Sequence, residues 1–342
     1  MFATAGLGPG DRPGIPPARP RAEAASPAES LETQCLSFLL DHQNSDGGWA
    51  YQPKSPSSAE VTAWCVLALN VADARRCAPA ISQGVGWLMQ TQLTDGSWPA
   101  FAGHSNGCWA TSLACLALVM QARPEDSVTR GVRWLLNDWP AEANLWWRLR
   151  HRFTSGASKV QQNHRLRGWN WMPGTASWVE PTAYALILAR NLPQSHRSLE
   201  LDKRVRLAKR MLYDRMCPRG GWNAGNPRVY EVAAEPRVGP SAWALLALCD
   251  DAENPGVQQS LNWLANAYDS IRGPGSKILA HWCLAAFNRR VEPLEPALRR
   301  MHKQNQFLES TLVTAWAIMA LTSPQGMFPT AQRQSIDELF AH

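Results

Sequence analysis

The sequence predicts an all-α protein, an (α/α)6 barrel or toroid built from six helix-pair repeats. Three observations lead to this prediction. A twelve-residue motif recurs 49 residues along the chain, apolar Ala- and Leu-rich runs recur in register with it, and runs of β-branched residues are few. With 342 residues, of which 45% are apolar, the chain is long enough to bury one large core.

The recurring motif begins with an aromatic-Leu pair and ends in Trp. Its two full copies are FLLDHQNSDGGW at 38–49 and WLMQTQLTDGSW at 87–98, and partial copies end at Trp169 and Trp222. An Asp-Gly step is typical of a turn, because Gly adopts backbone angles that other residues avoid. We therefore interpret the motif as structural, at positions Gln43, Asp46, Gly48, Trp49, Gln92, Asp95, Gly96, Trp98, Gly221 and Trp222.

Each repeat is predicted to consist of a helix, a Gly-Trp turn and a second helix. The first helices are expected near residues 35–43, 85–92, 132–139, 208–216, 261–270 and 297–305. The second helices are expected to start near residues 60, 109, 181, 240, 278 and 312. They can be aligned on one position, which is occupied by Thr62, Thr111, Thr182, Ser241, Ala280 and Thr314.

The second helices are apolar on nearly all sides, as in Ala63–Leu69, Ala183–Ala189 and Ala242–Leu248. A helix that is apolar all round is buried, so the second helices are expected inside the molecule. Six helix pairs with the second helices inside fit a closed ring better than an open stack.

Composition shifts divide the chain into three parts. Residues 1–30 are rich in Pro, Ala and Arg, lack the apolar block of a secretory signal and are predicted to be a disordered tail. Residues 31–325 are predicted to form a single barrel domain, and 326–342 a C-terminal tail. The last two repeats have lost the Gly-Trp turn.

The third repeat carries a long insertion, residues 140–177, which is both basic and aromatic. A lid or a membrane-facing loop would explain this composition, and so would a solvated connection anchored by a few Trp side chains. Its basic and aromatic residues are Trp146, Trp147, Arg148, Arg150, His151, Arg152, His164, Arg165, Arg167, Trp169 and Trp171.

Charge, hydropathy and cysteine usage exclude several classes of protein. No apolar run reaches the roughly 18–20 residues of a membrane span. The net charge of +6 is spread over the chain without the Lys/Arg stripe of a nucleic-acid-binding protein. The 8 cysteines include no Cys-x-x-Cys pair, which indicates reduced core thiols in a cytoplasmic protein, with peripheral contact to a membrane left open.

The motif at 38–49 and 87–98 resembles the glutamine-tryptophan motif of squalene and oxidosqualene cyclases. The resemblance extends over roughly residues 35–322, and it implies an α/α-barrel of the type that protein prenyltransferase β subunits share. Complete squalene cyclases have two such barrels, whereas this chain has room for one. The motif is a strong indication of fold and a weak indication of activity.

The resemblance also implies a position for a catalytic acid. Cyclases of this type protonate an alkene or epoxide with the central aspartate of an Asp-x-Asp-Asp-Thr-Ala segment at the start of an inner helix. Aligned on Thr182 and the Ala that follows it, Glu180 takes that position and is the predicted general acid, although its neighbours Trp178 and Pro181 replace the other acids. Glu60 occupies the same position in the first repeat and is a candidate second carboxylate. Both glutamates are also explained by the preference for acidic side chains in the first turn of a helix.

Aromatic side chains recur two positions after the aligned Thr. In a closed ring, equivalent positions converge on one layer, which faces either the lumen or the outer helices. A lumenal layer would form an apolar cavity that could fold a polyprene and stabilise a carbocation. The predicted cavity residues are Trp64, Trp109, Tyr184, Trp243, Trp282 and Trp316.

These observations predict a terpene cyclase-like enzyme that binds a linear polyprenyl chain and cyclises it by protonation. No cofactor is expected, except Mg²⁺ if the substrate is a diphosphate, and no zinc ligand set is evident. The expected partner is an isoprenoid small molecule and not a nucleic acid. One alternative is a non-catalytic isoprenoid-binding or protein-interaction barrel; a second is a prenyltransferase β-like subunit. A cyclase is expected to have a deep lumen with Glu180 directed into it, and a binding barrel a filled one.

Overall fold

The computed structural model describes residues 30–121, 125–146, 149, 162–229, 232–305 and 309–323, so both predicted tails lie almost entirely outside the described residues. Within these residues the barrel is formed by twelve α-helices. In chain order they are α1 Leu31–Asp41, α2 Ala59–Asp73, α3 Ala78–Thr91, α4 Ala110–Met120, α5 Glu125–Asn137, α6 Val179–Asn191, α7 Leu199–Asp214, α8 Val238–Ala247, α9 Pro255–Ala267, α10 Pro274–Ala286, α11 Leu294–Asn305 and α12 Thr311–Thr322.

The even-numbered helices form a closed inner ring. Each of them packs against the next inner helix, and α12 packs against α2 to close the ring. The odd-numbered helices pack around the outside, as α3 does against α2 and α4. In α2 every residue from Ala59 to Leu69 is buried, as expected for a helix that is apolar on all sides. The predicted (α/α)6 barrel is therefore confirmed.

The outer helices begin earlier than their apolar pattern predicts. Helix α3 starts at Ala78 and α7 at Leu199, where the Ser198 hydroxyl caps the helix by accepting from the Leu201 N–H. The early turns of these helices are partly polar because one face is in contact with solvent. An apolar pattern alone therefore misses the first turn or turns of an outer helix.

The Gly-Trp turns of the first four repeats use one common set of hydrogen bonds. Each motif Trp is buried and donates its indole N–H to the carbonyl of a Leu on an outer helix, as Trp98 Nε1 does to Leu88 O at 2.6 Å. Its backbone N–H donates to the hydroxyl at the aligned inner-helix position. The pairs are Trp49 with Thr62, Trp98 with Thr111, Trp169 with Thr182 and Trp222 with Ser241.

The motif Gln joins one repeat to the next. Gln43 Nε2 donates to Gly47 O within its own turn at 2.8 Å and to Ala80 O on α3 at 2.9 Å. Gln92 repeats this arrangement with Gly96 O and with Ser127 O on α5. The motif Gln therefore stabilises the contact between successive outer helices in the first two repeats.

We expect Gly96→Ala to destabilise the protein by about 2–4 kcal/mol, because two penalties add. Gly96 has φ +94°, and a Cβ at this position would lie 2.6 Å from the Arg130 carbonyl oxygen on α5. The control is Gly174→Ala, where φ is +78° but no atom lies within 4 Å of the added Cβ. Urea unfolding of both variants measures the difference; equal losses would show that the close approach to α5 has no energetic effect.

Two longer connections interrupt the ring. Residues Arg228–Val229 pair antiparallel with Val232–Ala233 in the loop that leads to α8. Within the insertion at 140–177, residues 147–148 and 150–161 lie outside the described residues. Its C-terminal part is not a free loop, because Trp169 is buried and donates its indole N–H to Leu135 O.

All eight cysteines are buried and unpaired. Over the part of the chain that the structure describes, no helix combines the length and the apolar character needed to cross a membrane. Nor do three or more His, Cys, Asp or Glu side chains converge there in a group that could hold a metal ion.

Candidate functional site

The inner helices all begin at one end of the barrel, which we call the mouth. It consists of the first turns of the inner helices and the loops that follow the motif Trp residues. Each loop is fixed by a backbone hydrogen bond from the preceding inner helix. The donor is an N–H in the first turn of that helix or in the residue just before it. These bonds are Ala59 N to Ala100 O, Trp109 N to Trp171 O, Val179 N to Ala224 O and Thr311 N to Tyr51 O.

Glu60 lies at the mouth in the first turn of α2 and is 7% exposed. Its Oε2 accepts two hydrogen bonds, one from the Tyr51 hydroxyl and one from Trp109 Nε1 at 3.1 Å. Burial raises the pKa of the Glu60 carboxyl above its ordinary value, and the two donors act in the opposite direction. We call Tyr51, Glu60 and Trp109 the Glu60 network.

Glu180 lies at the same level of the mouth, in the first turn of α6, and is half-buried. Burial is the main reason why its pKa is raised to about 6, and the nearby Glu60 also raises it. A hydrogen bond to its own backbone N–H and the nearby Arg237 both lower the pKa. The two carboxyl groups therefore interact, although α4 stands between the helices that carry them. The mouth holds two acids whose environments differ, as acid–base sites require.

The free energy of unfolding should depend on pH through Glu180. Its pKa is higher in the folded chain, about 6, than the ordinary value of 4.5, so folding favours its neutral form. The stabilisation is complete below the unfolded-state pKa and is lost as the pH rises through about 6. Between pH 4 and pH 7 the parent should lose about 1–2 kcal/mol more stability than Glu180→Gln. Urea titrations across this range test it, and parallel curves for the two proteins would contradict it.

The predicted cavity residues, apart from Trp109, form one aromatic layer deeper in the barrel. The layer consists of Trp64, Tyr184, Trp243, Trp282 and Trp316. The rings of Trp64 and Trp243 have centroids 5.3 Å apart although their helices α2 and α8 stand on opposite sides of the ring. The layer thus faces the lumen and fills it at this level. Whether it lines a substrate cavity stays a prediction.

Aromatic contacts continue from the layer up to the mouth. Tyr184 packs edge-on against Trp243 at 5.2 Å, and Trp171 packs at 6.5 Å from Tyr184 and at 5.2 Å from Trp109. Trp109 belongs to the Glu60 network. A continuous aromatic surface therefore connects the Glu60 carboxyl with the centre of the barrel.

A depression of about 300 Å³ opens beside the Glu60 network. Its lining includes Ala100, whose carbonyl accepts from the residue before Glu60, and Cys108, which precedes Trp109. His104 and Met172 also line it. A larger open groove of about 660 Å³ is lined by Trp139 and Arg167 among others, and none of its lining residues belongs to the Glu60 network.

Tyr51 and the packing role of Trp171 were not predicted from the sequence. Both residues stand two positions after a motif Trp, and each precedes a mouth glutamate by nine residues, Glu60 in the first repeat and Glu180 in the third. This shared spacing is a signal that could have found them. It could not have shown that the phenol hydroxyl of Tyr51 bonds to its glutamate.

Part of the chain is similar in sequence to known proteins. Residues 22–108 match the family model of the squalene-hopene cyclase C-terminal domain, a range that contains Glu60 and not Glu180. Over 88 residues the chain is 34% identical to the squalene–hopene cyclase of Zymomonas mobilis, which corresponds to 22% of this chain and 13% of that protein. The chain thus spans a small part of that relative's length.

Solved structures extend the similarity over the barrel. The type II terpene cyclase MstE from Scytonema has a TM-score of 0.56 at 14% identity, with 87% of this chain and 97% of that chain covered. A variant of that cyclase has been solved with the substrate geranylgeranyl dihydroxybenzoate. An endo-1,4-D-glucanase from Vibrio fischeri has a TM-score of 0.52 at 12% identity, covering 84% and 93%. These low identities establish the fold alone.

The resemblance to the squalene cyclase-like superfamily is therefore confirmed. Sequence similarity shows it in the first repeats, and over the remainder of the described chain the solved structures show the fold alone. The protein has a terpene cyclase-like α/α-barrel.

Proposed function

We propose that the protein is a single-barrel terpene cyclase that binds a linear polyprenyl chain at the mouth and cyclises it by protonation. One observation carries the proposal: two carboxyl groups with raised pKa values begin inner helices at the same end of the barrel. Burial keeps a carboxyl group protonated, as a proton-donating acid requires. The sequence assigns the general acid to Glu180 and a second carboxylate to Glu60.

The aromatic surface supports the same proposal. Trp109, Trp171 and Tyr184 lead from the mouth to the aromatic layer, and π-faces of this kind stabilise carbocations. An isoprenoid chain would lie against this surface with its terminal alkene at the mouth. Proton-initiated cyclisation is an isomerisation, so it consumes no redox cofactor; Mg²⁺ enters only if the substrate carries a diphosphate.

A second candidate function is a non-catalytic isoprenoid-binding barrel. The packing of Trp64 against Trp243 across the barrel axis favours it, because the lumen is filled at that level. A ligand would then occupy the mouth alone. The two functions agree on the ligand class and differ on turnover.

Incubation of the purified protein with squalene, farnesyl diphosphate and geranylgeranyl diphosphate tests both. Cyclised products are extracted and identified by mass spectrometry, and the retained isoprenoid is measured in parallel. The matched control is Glu142→Gln, which removes a buried carboxyl that accepts from Ser177 N, outside the Glu60 network.

Product from the parent and from Glu142→Gln establishes the cyclase. Retention of isoprenoid without product moves the protein to the binding class. If there is neither product nor retention, the protein has no isoprenoid function. Metal analysis of the same preparation tests the prenyltransferase β-like alternative, because that class requires bound zinc.

A further inference from the structure

A buried guanidinium lies at the base of the insertion. Arg204 of α7 is 2% exposed, and its Nη2 donates to Asp138 O at 3.0 Å and to Gly168 O at 2.9 Å. Its Cζ lies 3.8 Å from the centroid of the Trp139 ring and 4.7 Å from that of the Trp169 ring. Trp139 precedes the insertion and Trp169 lies near its end, so one side chain joins the two limbs.

The charge of Arg204 is incompletely compensated in this position. A guanidinium 3.8 Å from a ring centroid lies flat on the ring, so its N–H groups point outwards in its own plane. Two of its nitrogens, Nε and Nη1, are buried and have no hydrogen-bond acceptor among the described protein atoms. Burial lowers the pKa of Arg204 to about 10; Asp138 and Glu142 raise this pKa, and Arg167 lowers it. Arg167 is therefore a second positive charge close to the first.

The open groove of about 660 Å³ lies beside these two arginines. Trp139 and Arg167 both line it, and Arg167 Cζ lies 5.5 Å from the centroid of the Trp139 ring. Trp139 is 41% exposed although Arg204 stacks on it, so the same indole covers the buried cation and forms a wall of the groove. The other lining residues are Pro140, Ala141, Ala143, Asn144 and Gly174.

The two carboxyl groups that act on Arg204 do not line the groove. Both oxygens of Glu142, which is 1% exposed, accept from Ser177 N, at 3.0 and 3.3 Å. Burial raises the pKa of Asp138, and its hydrogen bond to the Asn170 side chain and the nearby Arg204 lower it. The lining of the groove therefore combines a guanidinium, an indole and small or apolar residues, without a carboxylate.

A ligand that suits this lining has an anionic group and an apolar part. A phosphate accepts several N–H groups of one guanidinium at once, because the planar fork of Arg matches its oxygens. An indole face provides apolar contact area for a chain. The volume of about 660 Å³ lies in the range of small-molecule sites, so it holds more than a phosphate alone.

We propose that the groove binds a phosphate ester with an apolar chain, in which Arg167 contacts the phosphate and the Trp139 indole contacts the chain. The buried Arg204 adds positive potential behind the indole. The groove shares no residue with the Glu60 network, so the site goes beyond the proposed function and does not depend on turnover.

Isothermal titration calorimetry of the full chain with three probes tests the proposal. The probes are inorganic phosphate, octanol and octyl phosphate, which present the anionic group alone, the chain alone and both together. Octyl phosphate should bind at least about tenfold more tightly than either fragment, and added salt should weaken its binding because the ionic contact is partly exposed. Equal affinities for octanol and octyl phosphate would overturn the phosphate contact.

Arg167→Gln assigns the ionic contact to the groove. The variant should weaken the binding of octyl phosphate by about 10- to 100-fold, because it removes charge-assisted hydrogen bonds. The matched control is Arg165→Gln, which removes the same charge from an exposed side chain two residues away that does not line the groove. Equal losses in the two variants would show binding through net charge alone and would overturn the site.

Trp139→Leu tests the apolar contact and keeps an apolar side chain over Arg204. We expect the affinity for octyl phosphate to fall by about three- to tenfold while binding of inorganic phosphate changes little. Trp146→Leu is the control, because Trp146 is 79% exposed and does not line the groove. A loss for octyl phosphate no larger in Trp139→Leu than in the control contradicts the role of the indole.

Vesicles distinguish two sources of the phosphate ester. Cosedimentation with phosphatidylcholine vesicles that contain phosphatidic acid, reduced by Arg167→Gln and not by Arg165→Gln, assigns a lipid head group. Binding of octyl phosphate without cosedimentation assigns a soluble ester. Either result supports the site, and failure to bind in both assays overturns it. Because no assay measures turnover, binding here without any cyclised product contradicts the proposed function alone.

Discussion

Trp222→Ala is expected to lower the free energy of unfolding by about 4 kcal/mol or more. Truncation of a fully buried indole leaves a large cavity, which by itself costs about 3–5 kcal/mol. The side chain is 0% exposed, and its Nε1 donates to Leu212 O at 2.6 Å. The substitution also removes one of the two hydrogen bonds that the Leu212 carbonyl accepts, the other coming from Arg215 N. Urea or thermal unfolding of the purified variant measures the loss.

The control for this substitution is Trp146→Ala. Trp146 is 79% exposed, so its removal should change stability by less than about 0.5 kcal/mol. A loss in Trp222→Ala no larger than in Trp146→Ala would show that the motif Trp does not hold its turn against the outer helix. That result would remove the physical basis for the repeat.

Trp64→Ala is expected to lower the free energy of unfolding by about 3–5 kcal/mol, for a different reason. Its ring is fully buried and contacts Trp243, Trp282 and Trp316 at centroid distances of 5.3, 5.9 and 6.4 Å. Those contacts vanish together, and a cavity opens on the barrel axis. The change is measured by denaturant unfolding.

Trp64→Phe should be much milder, because Trp64 Nε1 has no hydrogen-bond acceptor among the described protein atoms. A buried donor without an acceptor is itself unfavourable, so replacing it by carbon offsets part of the lost ring area. Trp98→Phe is the matched comparison, since it breaks the bond to Leu88 O and should cost about 1–3 kcal/mol more than Trp64→Phe. Equal costs would contradict a purely apolar role for the Trp64 indole.

The architecture was predictable because it depends on periodicity. Helices that are apolar on every side must be inside, and a motif repeated at a fixed spacing must occupy equivalent places. The aligned hydroxyl position has a physical meaning that the sequence suggested only as an alignment: Thr62 accepts the N–H of Trp49. The fifth repeat, which lost the Gly-Trp turn, has Ala280 there, whereas the sixth lost the turn and keeps Thr314, whose hydroxyl donates to Ser310 O instead.

The details of the site were less predictable because they depend on side-chain reach and volume. Trp109 occupies the position in the second repeat that Glu60 has in the first, so the alignment places them at one level without showing a hydrogen bond. Tyr51 reaches Glu60 from a loop whose path no periodicity specifies. The number of indoles that fit across the axis depends on the radius of the ring, so the sequence left open whether the lumen is filled.

Closure of the ring brings together segments from the two ends of the described chain. Leu31 N donates to Glu295 Oε1 at 3.1 Å, the hydroxyl of Thr322 donates to Glu32 Oε1 at 3.0 Å, and Thr311 N donates to Tyr51 O at 3.1 Å.

Most other helix contacts join neighbours in sequence, and such contacts form early because they close short loops. The seam between α12 and α1–α2 closes the longest loop, so it is expected to form last during folding. Weakening it should accelerate unfolding more than it slows folding, as for any contact absent from the transition state. The Glu60 network lies beside this seam, since Tyr51 belongs to both, and a competent mouth would therefore be among the last parts of the protein to assemble.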